Sequence, residues 1–103
     1  MKNFKSYQAS IAFYKSLKSL KLPSSLSQQL KRAAASVTLN LAEGNYKDSI
    51  KERIKFFQIA LGSIKECQAV LTLTNNDNTY QAKLADNTAK LIYCLVRYLK
   101  NKQ

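Results

Sequence analysis

The residues with the clearest chemical potential are two carboxylates, Glu43 and Glu66, each placed among small polar side chains. Paired carboxylates hydrolyse glycosidic bonds when they flank a substrate cleft. The chain has no histidine, so the commonest general base and any serine–histidine–aspartate set are missing. Too few polar residues remain to line a cleft. We therefore expect no catalytic residues and a protein that is not an enzyme.

The sequence also lacks the residue patterns that bind metals or cofactors. Cys67 and Cys94 stand alone, whereas a zinc site needs about four ligands. Gly44 and Gly62 are isolated and form no phosphate-binding loop. We expect no metal, no cofactor and no small-molecule substrate. Both cysteines are predicted to be buried free thiols in a reducing cytoplasm, with a disulfide as the less favoured alternative.

A structural role explains the polar residues better than catalysis does. Ser36, Asn40 and Glu43 are spaced four and three residues apart, so they share one stripe of a helix beside its apolar arc. A buried polar group without a partner costs about 1–3 kcal/mol, so these side chains need partners on the next helix. The predicted structural network consists of Arg32, Ser36, Asn40, Glu43, Ser63 and Glu66.

Four helices must position these residues. Apolar periodicity and the breaks at Pro23, Gly44 and the polar loop 75–79 predict the following helices. They run from about Asn3 to Leu20, from Ser24 or Ser25 to Gly44, from Asp48 or Ser49 to that loop, and from about Tyr80 to Lys100. The inner stripe of the last helix is predicted to be Tyr80, Leu84, Leu91, Leu95 and Tyr98.

The ends of these helices carry recognisable cap patterns. Ser24 or Ser25 is expected to cap the second helix, and Gly44 with Asn45 to end it in a left-handed turn. Ser49 and Glu52 fit a capping box at the start of the third helix. Gly62 is expected to let a neighbouring helix approach closely.

The connections and the absence of a strand pattern set the fold class. Connections of about three to five residues place sequential helices antiparallel. The prediction is all-α: an antiparallel up-down-up-down four-helix bundle, with residues 1–103 as one domain. The longest uncharged runs, at 33–42 and 67–76, are shorter than the roughly 18–20 residues that a bilayer span needs. We therefore expect a cytoplasmic protein with no membrane partner.

Basic residues outnumber acidic ones by 17 to 6, a net charge of +11, and they are ordered along the helices. Such rows attract polyanions such as RNA or DNA through counterion release. A solvated face is the plainer reading of any single lysine. Phe4 and Tyr46 could stack on bases, but we expect core or edge aromatics. The predicted nucleic-acid-binding residues are Lys47, Lys51 and Lys55 on the third helix and Lys83, Lys90 and Arg97 on the fourth.

Two blocks of the sequence resemble a known family. The run at 29–44 reads QLKRAAASVTLNLAEG, and the run at 57–66 reads FQIALGSIKE. Both are similar to the signatures of the 23S rRNA intervening-sequence protein family. The resemblance implies an antiparallel four-helix bundle that assembles as a homopentamer and is encoded within ribosomal RNA genes of bacteria. A more distant resemblance is to the accessory variability determinant proteins of diversity-generating retroelements, whose basic pentamer binds a reverse transcriptase and nucleic acid.

Self-association is also expected from the residues alone. Ala35, Leu39 and Ala42 lie opposite the core side of the second helix, and the third helix has an apolar arc of unusual width. Leu39 could instead be one scattered exposed residue. We predict a non-enzymatic oligomer that binds or scaffolds structured RNA. The alternative is a protein–protein adaptor, such as an accessory subunit of a reverse transcriptase.

Overall fold

A computed structural model describes residues 4–103 as four α-helices. They are α1 (Lys5–Ser16), α2 (Ser24–Asn45), α3 (Ile50–Leu73) and α4 (Tyr80–Lys100), with a 3₁₀ turn at Leu17–Ser19. No strand occurs within these 100 residues, so the all-α prediction with four helices is confirmed. The predicted start of the first helix at Asn3 lies outside the described residues. The chain folds into a body of 42 × 23 × 20 Å.

The start of α2 differs from the predicted serine cap. Pro23 is the residue that precedes the helix, and its carbonyl accepts the Ser27 N–H at 2.8 Å. Ser24 is therefore already helical, and no side chain caps the first turn. The serine-cap prediction is wrong because the fixed φ of proline sets the helix start one residue earlier.

Gly44 does not form the predicted left-handed cap. It is helical and buried, α2 continues to Asn45, and neither glycine of the chain has a positive φ. A β-carbon at position 44 would lie 2.6 Å from Cε1 of Phe57 and 3.1 Å from Cβ of Phe56. Glycine is needed here because α3 packs directly against the α2 backbone. At Gly62 a β-carbon would meet nothing within 4 Å, so the close helix approach predicted there is absent from the described chain.

The other two helix starts follow the predicted cap chemistry. The Ser49 hydroxyl accepts the Glu52 N–H at 3.1 Å, which confirms that half of the capping box. The Thr79 hydroxyl accepts the Ala82 N–H at 3.1 Å at the start of α4. Between α3 and α4, Asn75 has a φ of 60°, a left-handed conformation that asparagine tolerates better than most residues. Polar side chains thus define both boundaries of this loop.

The core lies between the four helices, with α2 packed on α3, α3 on α4, α4 on α1, and α1 on α2. Because α3 has two helical neighbours with many contacts, its wide apolar arc is largely covered within the chain. Phe57 and Ile64 are buried, whereas Phe56 and Leu61 remain half-buried. The largest fully buried side chains of the described residues include Phe13, Leu30, Leu41, Ile64, Leu71 and Ile92.

The predicted inner stripe of α4 is wrong at its two tyrosines, whereas Leu84 and Leu95 pack against the core. Tyr80 and Tyr98 are 67% and 58% exposed. The buried side chains are instead Gln81, Ala85, Thr88, Ala89, Ile92, Val96 and Leu99. The hydropathy pattern fails here because the observed buried stripe includes two polar residues, Gln81 and Thr88. Both form hydrogen bonds within the chain. Gln81 donates to the Ser16 carbonyl at 3.0 Å, and the Thr88 hydroxyl donates to the Leu84 carbonyl at 2.8 Å.

Candidate nucleic-acid interface

A short polar seam joins α2 to α3. The Ser36 and Ser63 hydroxyls lie 2.8 Å apart, and both side chains are partly buried. Asn40 donates from Nδ2 to the Ser36 carbonyl at 2.9 Å and to its hydroxyl at 3.1 Å. Three of the six predicted network residues are therefore brought together. Their contacts link one turn of α2 to the facing turn of α3.

The charged residues of the predicted network lie outside this seam. Glu43 pairs with Lys47 at 2.9 Å, and Glu66 accepts a hydrogen bond from Gln29 at 3.4 Å. Arg32 is exposed, and no contact joins it to the seam in the described chain. Glu43 is 14 residues from Gln29 on α2, which corresponds to about 21 Å of helical rise. Glu43 and Glu66 therefore do not form a carboxylate pair.

The first predicted basic row surrounds a half-buried aromatic ring. The Lys47 and Lys55 ammonium groups lie 5.2 and 5.8 Å from the centroid of Phe56, within range of cation–π attraction. The hydrogen bond and charge of Glu43 raise the pKa of Lys47 above its ordinary value. Lys51 is exposed. Two of the three lysines therefore contact this ring, and Lys47, which lies in the connection before α3 rather than on the helix, is partly neutralised by Glu43.

The second predicted row borders a groove between α3 and α4. One stretch of this groove has a volume of about 350 Å³ and includes Lys83. The next stretch, of about 280 Å³, includes Lys65 and Lys90. Gln68 and Asp86 line both stretches, so the two stretches adjoin. Lys90 pairs with Asp86 at 3.0 Å, which cancels one positive charge locally.

An aromatic residue, Tyr93, lies at one end of this groove and is contacted by Arg97. Tyr93 lines the 280 Å³ stretch and is 51% exposed. The Arg97 guanidinium lies 5.9 Å from the Tyr93 ring centroid and donates to its phenolic oxygen at 3.3 Å. This hydrogen bond raises the pKa of Arg97, so its charge is constant in water. Lys65 and Tyr93 were not predicted from the sequence. Lys65 belongs to neither row of regularly spaced basic residues, and Tyr93 is uncharged.

A second groove lies between α1 and α2. Its apolar part has a volume of about 200 Å³ and is lined by Ile11, Tyr14, Ala35, Thr38 and Leu39, with Lys15 at the edge. Leu39 is 67% exposed. Tyr14 also lines an adjoining concavity of about 560 Å³ with Lys15, Leu17, Lys18 and Lys31. These lysines were missed because they come from two helices and meet only in the fold.

The aromatic and cysteine expectations are each half right. Phe4 is a core-edge residue, with its ring centroid 5.9 Å from that of Phe57, whereas Tyr46 is 76% exposed. Cys67 is buried, and burial together with the charge of Glu66 raises the pKa of its thiol to about 12. Cys94 is exposed, contrary to the prediction, because α4 is rotated relative to the predicted stripe.

Comparison with known proteins matches this chain to one protein family. A family model described as 23S rRNA-intervening sequence protein matches residues 2–101. No curated protein and no solved structure matches the chain significantly. Among residues 4–103, no helix combines the length and apolar character required to cross a bilayer.

Proposed function

The chain belongs to the 23S rRNA-intervening sequence protein family, and from this premise we propose a non-enzymatic, basic, self-associating protein that binds structured RNA. The family match covers nearly the whole chain and is compatible with an RNA-related role. Ribosomal RNA is the natural candidate target.

The proposed architecture is an antiparallel up-down-up-down bundle. Three contacts between α2 and α3 support it: Leu30 with Cys67, Ser36 with Ser63, and Gly44 with Phe57. Residue numbers rise along α2 as they fall along α3, as expected for helices of opposite direction. Short connections extend the same alternation to α1 and α4.

One observation carries the RNA-binding proposal: among residues 4–103, most basic side chains form no ion pair. The described residues contain only two ion pairs, Glu43–Lys47 and Asp86–Lys90, each within a single helix. The remaining basic side chains far outnumber the four other acidic residues. Unpaired surface cations displace the counterions condensed on nucleic acid, which drives binding of any sequence.

Self-association would multiply this charge. The groove at Ile11, Tyr14 and Leu39 is almost wholly apolar and would supply the contact surface between copies. The family resemblance favours a homopentamer, in which five copies of +11 would carry +55. Such a body would steer a polyanion from a distance.

The RNA-binding proposal is tested by a salt series on purified protein with a folded RNA. Each phosphate contact contributes a slope of about −0.7 to −0.9 to log affinity against log salt concentration. Four or more contacts therefore give a slope of about −3 or steeper. Lys83→Gln should lower the slope magnitude by about 1. Lys21→Gln, in the exposed connection between α1 and α2, is the matched control and should leave it unchanged. A flat salt response would refute the proposal.

A protein–protein adaptor is the second candidate, and the α1–α2 groove favours it. An apolar floor at Ile11 and Leu39 with Lys15, Lys18 and Lys31 nearby is complementary to an acidic amphipathic helix. An accessory role beside an enzyme such as a reverse transcriptase belongs to this class. A stoichiometric protein that stays bound after nuclease treatment, and is lost in Leu39→Glu, would support the adaptor over RNA binding.

A further inference from the structure

We propose that the α3–α4 groove is a binding site for unpaired RNA nucleotides, with the Tyr93 ring as the stacking surface for a base. Lys65 and Lys83 would contact the flanking phosphates. This inference rests on the proposed RNA-binding function and adds to it the form of RNA that is recognised and the residues that distinguish it.

The geometry of the groove provides the first argument. Its two stretches share Gln68 and Asp86, so they adjoin, and together they extend from Lys83 to Tyr93 along α4. Ten residues of helix separate these two side chains, a rise of about 15 Å. Such a groove is long enough for a few nucleotides of extended single strand.

Tyr93 provides the second argument. Half of its surface is exposed, yet Arg97 fixes the ring through a hydrogen bond of 3.3 Å to the phenolic oxygen. The guanidinium beside the ring, 5.9 Å from its centroid, adds a fixed positive charge next to the stacking surface. Proteins that bind single strands combine such aromatic rings with a basic channel because every base has a π-face.

The charges along the groove favour RNA over a protein helix. The lining includes apolar side chains such as Leu61 and Leu71, but Gln68 and Asp86 lie where the two stretches meet, and an apolar helix face docked there would leave both without polar partners. Two carboxylates line the groove: Asp86, which Lys90 holds at 3.0 Å, and Asp77, which lies in the same stretch as Lys83. Lys65 and Lys83 have no ion-pair partner among the described residues. Phosphates can therefore approach from both sides of the groove.

The test compares two probes of equal sequence: an unstructured RNA oligonucleotide of about 12 nucleotides, within the usual site size, and its blunt duplex. Tyr93→Leu should weaken binding of the single strand by about 5- to 150-fold, the range supplied by base–aromatic stacking. The salt slope should not change, because no cation is removed. Duplex binding should also stay unchanged.

Two further variants separate stacking from other causes. Tyr93→Phe keeps the ring and should retain most of the single-strand affinity. Tyr80→Leu removes a more exposed tyrosine of the same helix, about 3.6 turns away on another face, and should have no effect. Equal single-strand binding by wild type and Tyr93→Leu, with a steep salt slope in both, would overturn this inference while leaving the proposed function intact. A flat slope in the wild type would refute the proposed function itself.

Discussion

The two glycines of the chain provide a sharp test of the helix packing, because they are helical and differ in their surroundings. Replacing a helical glycine by alanine gains about 1 kcal/mol of intrinsic helix stability in a helix interior. At Gly62 the new methyl group meets nothing within 4 Å, so no steric clash offsets this gain in stability. Gly62→Ala should therefore raise the free energy of unfolding by about 0.5–1 kcal/mol.

At Gly44 the same substitution should have the opposite sign. The new β-carbon would lie 2.6 and 2.9 Å from two ring carbons of Phe57, which is only 3% exposed and cannot move into solvent. Overpacking of a core costs about 1–3 kcal/mol. The propensity gain is smaller here, roughly 0.3 kcal/mol, because Gly44 is next to the last residue of α2. The net loss should be about 1–2 kcal/mol.

Urea unfolding followed by circular dichroism measures both variants, at several protein concentrations because the proposed self-association would add to apparent stability. The Phe57→Leu substitution removes the ring carbons that would clash. In this background, Gly44→Ala should lower the free energy of unfolding by measurably less than it does in the wild type. The reasoning is refuted if Gly44→Ala is as stable as the wild type, or if Gly62→Ala is destabilised when chains are dilute. The first result would mean that α3 does not pack closely against α2 at Gly44.

Four further predictions concern polar and ionisable groups. Asn40→Ala removes two hydrogen bonds into the seam between α2 and α3 and should lower stability by about 1 kcal/mol; an unchanged urea midpoint would argue against a structural seam. Under native conditions at mildly alkaline pH, a thiol reagent should modify exposed Cys94 quickly and Cys67 only on unfolding; equal reaction rates would contradict the burial. Because the pKa of Cys67 rises from 9.0 to about 12 on folding, the unfolded thiol loses its proton first, and stability should fall between about pH 9 and 12; this decline should be shallower in Cys67→Ala. Glu43→Gln frees the Lys47 ammonium and should strengthen RNA binding at low salt, whereas weaker binding would mean that the pair itself positions the basic row.

Most of the secondary structure could be predicted, because it is determined locally. The boundaries of α4 and the caps at Ser49 and Thr79 depend on residues within one turn of each helix end. The function of Gly44 could not be read in this way. A glycine near a helix end resembles a left-handed cap, and only the packing of Phe57 shows that space is the reason.

The candidate interface was predictable only in part. Heptad spacing placed Lys83, Lys90 and Arg97 on one face, and two of these line the α3–α4 groove. The contribution of Lys65 and Tyr93 depends on how α3 lies against α4, which no spacing within one helix determines. The rotation of α4 that exposes Tyr80 and Tyr98 buries Gln81, whose hydrogen-bond partner lies on α1, and no spacing within α4 reveals that partner.

The central proposal is that the surfaces left open by this fold perform the function, an apolar face joining copies and a basic face binding RNA. Sedimentation velocity of the chain mixed with labelled folded RNA, at low and high salt, tests both parts at once. The account predicts a protein assembly of several chains at both salt concentrations, with RNA travelling in the same boundary only at low salt. A single 11.7 kDa chain at high protein concentration, or RNA whose binding is indifferent to salt, would contradict it.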